Sequence, residues 1–227
     1  MNNISNIADK RVNYPFRFFT RVTLPILTGE YALNLRQLLN GIKKADDSII
    51  YYHTHHYLLQ HHYMVPSATN DFAYWINNGL GESFLSEEIA GTDIFDYNNI
   101  GDYKRKIVEI IDKFLTSRKE NKIRQVDINE RFNFMKAATF IMDTGKIAYT
   151  LREFHDTLAN ITIFSFYYHF FEAHFRINAR MSNDFSMWIK SEIGLSELAD
   201  KISRLDPYSL TMDNLKTNIL KLTESYL

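Results

Sequence analysis

The sequence predicts an all-α fold: two tandem copies of a helical unit of roughly 100 residues each, related by a pseudo-twofold, with a short extended segment admitted at the start of each copy. Three observations carry this expectation. The chain repeats itself, apolar residues recur at helical spacing, and small polar residues stand where helix N-caps belong. FRFFTRVTLPILTGEYALNLRQLL, from Phe16, lies over FNFMKAATFIMDTGKIAYTLREFH, from Phe132, without a gap. In the same register Tyr51-Tyr52-His53 fall on Tyr167-Tyr168-His169, and after a short deletion NDFAYWI (Asn70 to Ile76) falls on NDFSMWI (Asn183 to Ile189). Fixed-order matches that include Gly, Trp and His point to a duplicated unit, and repeats are read before any other feature.

The boundaries follow from the repeat: a tail over 1–15, a first helical repeat over 16–118, a charged linker over 119–131 and a second helical repeat over 132–227. Within each repeat the opening stretch is ambiguous. FRF and FNF alternate as a strand would, but the residues after them do not, and Pro25 opposes a continuous helix there. Thr28 and Thr144 are expected to cap the next helices, with Ala32, Leu35, Leu38, Leu39 and Ile42 forming the apolar face of the first. Asp46, Asp47 or Ser48 is placed to cap the helix that carries the histidines. Asn70 and Asn183 are placed to cap the next pair, each followed by an Asp where the helix dipole favours negative charge. Two further helices are expected to end each repeat, near 84–91 and 102–117 in the first.

The bulk composition narrows the function. The 227 residues carry a net charge of −1, which opposes a nucleic-acid binder relying on phosphate neutralisation. No cysteine is present, so thiolate sites are excluded and any metal would take His, Asp, Glu or Tyr ligands, a composition that suits a cytoplasmic protein. No apolar run approaches the roughly 20 residues that span a bilayer, and the first residues lack the apolar core of a signal peptide. No phosphate-cradling glycine loop, nucleophile elbow or H-E-x-x-H motif is present.

The stretches TGEYALNLRQL, SIIYYHTHHYLLQHHY and NDFAYW, with TGKIAYTLREF, YYHFFEAHFR, NDFSMW and LDPYSLT in the second copy, resemble domain-of-unknown-function family 5752. That family occurs in bacteria and archaea, sometimes beside carbohydrate-metabolism domains. The resemblance covers nearly the whole chain after the tail. It implies the repeated unit and brings no mechanism. One departure is His174, where the resemblance leads one to expect Arg.

The oddest stretch is Tyr51 to Met64, which holds five of the eight histidines. Residues three and four apart share a helix face, so the five cannot converge on one point. His53 is the one with a matched partner, His169, and their neighbours one turn on are His56 and Glu172. Two readings stay open. In one, His53, His56, His169 and Glu172 form a site for a divalent transition metal such as Zn²⁺, Fe²⁺ or Mn²⁺, because paired i, i+3 ligands on helices are chemically sensible for it. In the other, the matched histidines are semi-buried structural residues that hydrogen-bond a carbonyl, a Tyr hydroxyl or a carboxylate at the interface between the copies. His61 and His62, unmatched, read as exposed helix-end residues.

A ligand-binding set is drawn from the matched polar residues: Tyr52, His53, Tyr168, His169, Arg36, Arg152, Asp71 and Asp184. Arg and Asp beside Trp75 or Trp188 suit a sugar or an anion. Equally, Arg36 and Arg152 suit clamps on Asp71 and Asp184, with the tryptophans in the core. The leading expectation is a soluble binding or regulatory protein taking a small molecule or a protein, with a Tyr/His/Arg polar site near the junction of the repeats. A metal-dependent enzyme and a structural assembly partner, such as a homodimer, are the alternatives. Nucleic acid and membrane are not expected partners.

Overall fold

A computed structural model describes residues 7–56, 69–97, 99–117, 124–173, 182–206 and 210–227. The fold is mixed α/β, with 57% of the described residues helical and 19% in strands, so the all-α, helical-bundle expectation is corrected. The correction lies in the ambiguous stretches. β1 (Phe16–Ala32) and β2 (Phe132–Ala148) are strands of 17 residues each, and they pair into a two-stranded antiparallel ribbon. Only their ends alternate cleanly: Phe16 and Phe18, like Phe132 and Phe134, are buried. Farther along, apolar side chains such as Leu24 and Ile26 are exposed, so burial no longer tracks hydrophobicity and the two-residue period of a half-buried strand is lost.

After β1 the chain forms α1 (Leu35–Lys44), α2 (Asp47–Tyr51, continuing as a π-helical turn over Tyr52–His56), α3 (Asp71–Asn78), α4 (Ser83–Ala90) and α5 (Ile100–Thr116). After β2 the described residues give the same order: α6 (Leu151–Ala159), α7 (Ile163–Phe170), α8 (Asp184–Trp188, with a π turn over Ile189–Ile193), α9 (Ser196–Ser203) and α10 (Met212–Glu224). Asp46 caps α2, Asn70 caps α3 and Asn183 caps α8, each accepting from a backbone N–H of the first turn. Thr28 and Thr144 do not cap helices. Their hydroxyls donate across the ribbon, to the Phe134 carbonyl (2.7 Å) and the Phe18 carbonyl (2.6 Å). The glycine after each has φ near +83° and +72°, which permits this local turn in the strand. Asn34 and Thr150 are the residues that cap α1 and α6. The far ends of those helices are closed alike, by lysines donating to backbone carbonyls: Lys104 to Ala45, and Lys216 to Ala159 and Ile161.

The chain divides into two compact units whose make-up differs from the sequence repeats. One gathers Met1–Val22 with Phe140–Leu227, and the other Thr23–His61 with Pro66–Thr139. The opening of each strand therefore joins the helices of the other repeat. In the unit that holds His169, Phe16 and Phe18 pack on Phe154, Phe185 and Trp188. In the unit that holds His53, Phe132 packs on Phe72 and Trp75, with Phe134 at its edge.

Gly41 marks where α1 meets β2. A Cβ there would lie 2.2 Å from Cζ of Phe134, whose ring is buried. The matched residue in the second repeat is Thr157, so the close approach, not the repeat pattern, requires glycine. Gly41→Ala is expected to lower stability by about 1–3 kcal/mol despite alanine's better helix propensity, because the ring must leave its packed position. Urea unfolding midpoints check this; a midpoint at or above wild type would show that the ring yields freely.

Candidate functional site

Each unit contains the same buried arrangement. His53, on the π turn after α2, and His169, on α7, are both 2% exposed. The Nδ1 of His53 lies 2.8 Å from Oδ2 of Asp71, the first residue of α3, and Nδ1 of His169 lies 2.7 Å from Oδ2 of Asp184, the first residue of α8. On the far side of each ring a strand amide donates to Nε2: Met135 N–H to His53 (2.9 Å) and Phe19 N–H to His169 (2.8 Å). A backbone N–H can only donate, so Nε2 must present its lone pair and the proton must sit on Nδ1, facing the carboxylate. Both imidazoles are thereby fixed as one neutral tautomer. Each joins three elements: its own helix, the N-terminus of another helix and a strand. In the His169 unit, Ser165 adds a bond to the Phe19 carbonyl (2.6 Å).

Other expected site residues fall elsewhere. Asp71 and Asp184 pair with histidine, not with the arginines of the supposed clamp. Arg152 grips Asp9 with two nitrogens and also donates to the Leu227 carbonyl; this bond holds the Asp9 carboxyl below its ordinary range. Arg36 is exposed on α1. The tryptophans are core residues. Trp75 donates to the Glu130 carbonyl and Trp188 to that of Tyr14; Trp75 meets Phe132 edge to face and Trp188 stacks on Phe154. Tyr52 is buried against Ala137 and lies beside His56 with ring centroids 5.0 Å apart; Tyr168 is buried near Phe19. Nearby, the cap residue Asn70 donates from its side-chain amide to the Tyr103 hydroxyl (3.3 Å), and burial pushes the pKa of that hydroxyl up.

Glu172, the carboxylate of the expected metal set, is ion-paired to Arg21 of β1, both side chains being largely buried. Arg21 escaped the sequence reading; its signal was a charge inside an otherwise uncharged apolar stretch. Among the described residues no three His, Asp or Glu side chains are grouped as a metal would require. The lone pair that His53 or His169 would offer a metal is already taken by a strand amide. Two members of the expected metal set, His53 and His169, thus join helix to strand. His61, His62 and His174 lie outside the described residues.

Residues 13–224 match the family of unknown function DUF5752. The chain belongs to that family. A solved structure is also similar: OrfY from Thermoproteus tenax is 30% identical, with a TM-score of 0.76 over 96% of this chain and 98% of that one. No curated protein matches. The DUF5752 match spans both copies of the His–Asp–strand arrangement, and no helix among the described residues is long and apolar enough to cross a membrane.

Proposed function

We propose that this DUF5752 member is a cytoplasmic binding or regulatory protein that works without turnover. The observation that carries the reading is the use of both matched histidines as internal joints. Their ring nitrogens face a carboxylate and a strand amide, which supports a structural role for both rings. What remains on the surface suits recognition: exposed apolar side chains, Leu24 and Ile26 in one unit and Phe140 and Met142 in the other. A link to carbohydrate metabolism rests on the family's neighbours alone.

Protein purified without a histidine tag is expected to hold no stoichiometric transition metal by elemental analysis, and to show no hydrolytic or oxidative turnover when Mn²⁺, Fe²⁺ or Zn²⁺ is added. A stoichiometric metal together with turnover abolished by His53→Asn would overturn the reading.

A further inference from the structure

We propose that β2 is the edge through which two copies of this chain associate, pairing strand to strand at Phe140–Met142. The inference concerns self-association and stands or falls apart from the absence of turnover proposed above.

Phe140, Ile141 and Met142 are consecutive, apolar and each more than half exposed (56%, 55% and 53%). Successive residues of a strand point to opposite faces, so this stretch is open on both faces at once. Among the described residues β2 has one strand neighbour, β1. Among the described residues, its other edge at Phe140–Met142 has no strand against it and carries exposed apolar side chains, the combination that recruits another strand.

The repeat supplies an internal comparison. The matched stretch of β1 is Leu24-Pro25-Ile26, also exposed. There proline stands where β2 has Ile141. Proline cannot donate to a neighbouring strand and is a common guard on exposed edges. One copy of the repeat carries the guard and the other lacks it, which singles out β2.

The occupant is a second copy of this chain. From Ala137 to Met142 there is no charge, and the two flanking charges are already paired, Lys136 with Asp46 at 3.5 Å and Asp143 with Arg17 at 2.8 Å. Nothing there attracts a charged partner, and nothing at the centre repels an identical strand. Two identical strands can meet antiparallel about a twofold axis, each presenting the same three residues to the other.

Sedimentation velocity on the full chain across a wide concentration range is the test, with two variants. Ile141→Pro copies the guard of β1 into β2, and Pro25 shows that a strand of this repeat accepts proline at that position. Met142→Lys places two positive charges close together across the twofold and keeps every backbone donor. Circular dichroism and thermal unfolding confirm that each variant is folded. Wild type is expected to reach twice the chain mass, and a folded variant to weaken that association roughly tenfold or more. A wild-type chain that stays monomeric throughout, or a dimer unchanged in Met142→Lys, would overturn the proposal.

Discussion

Replacing Glu172 with alanine should cost about 3–5 kcal/mol of stability, because it strands the Arg21 guanidinium without its carboxylate in a largely buried position. The two side chains are 7% and 13% exposed, so solvent does little to replace the lost partner. The second half of this prediction uses the repeat. Arg21 and Glu172 occupy the positions that Ala137 and His56 occupy in the His53 unit. The double variant Arg21→Ala, Glu172→His therefore installs a pair already accommodated by the same fold element. It should recover most of the loss, since removing both members of a buried ion pair is far cheaper than removing one. Urea unfolding of wild type, both single variants and the double variant gives the coupling energy directly. A Glu172→Ala loss within about 1 kcal/mol, the range of a solvated pair, would mean that the contact is screened and contributes little.

That pair also shows where the sequence was readable and where it was not. Local signals served well. Asn70, Asn183 and Asp46 cap the helices that follow them, because a cap is a short-range bond between a side chain and the next turn. The repeat located His53 and His169 and identified Asp71 and Asp184 as matched. Their partnership was missed for a physical reason: the bond runs between helices 15 and 18 positions apart, and arginine was the more familiar counterion. The strand amides of Phe19 and Met135 carry no side-chain signature at all. β1 and β2 were hidden because Leu24, Pro25, Ile26 and Leu27 are all exposed, so apolar character there reports neither helix nor strand. Thr28 and Thr144 looked like helix caps because a threonine before glycine serves equally well inside an irregular strand, donating to a neighbour's carbonyl. The exchange of strand openings between repeats is a matter of topology, and a register of matched residues is indifferent to it.

The histidine joints make the sharpest prediction, since the two amides of the amino-acid alphabet each imitate half of an imidazole. Asparagine at 53 keeps a donor near the Nδ1 position, facing Asp71, and abandons the Met135 amide. Glutamine keeps an acceptor near the Nε2 position for that amide and abandons Asp71. Asp71 is 27% exposed, so water can solvate its carboxylate once the ring is gone. The Met135 amide lies behind the ring, where a lost acceptor is hard to replace. The expected order of stability is therefore wild type, then His53→Gln, then His53→Asn, with His53→Ala lowest at a loss of about 2–4 kcal/mol from an unsatisfied donor plus an opened cavity. The same order should hold at His169, where the Asp184 side chain is 18% exposed and the amide is that of Phe19. Amide hydrogen exchange supplies the residue-level check: Met135 should lose protection in His53→Asn and largely keep it in His53→Gln. A metal-binding role for the ring predicts something else, namely little change of stability in metal-free protein for any of the three variants. Asparagine and glutamine variants both within about 0.5 kcal/mol of wild type, with Met135 exchange unaltered, would show that the imidazole is not the joint between helix and strand.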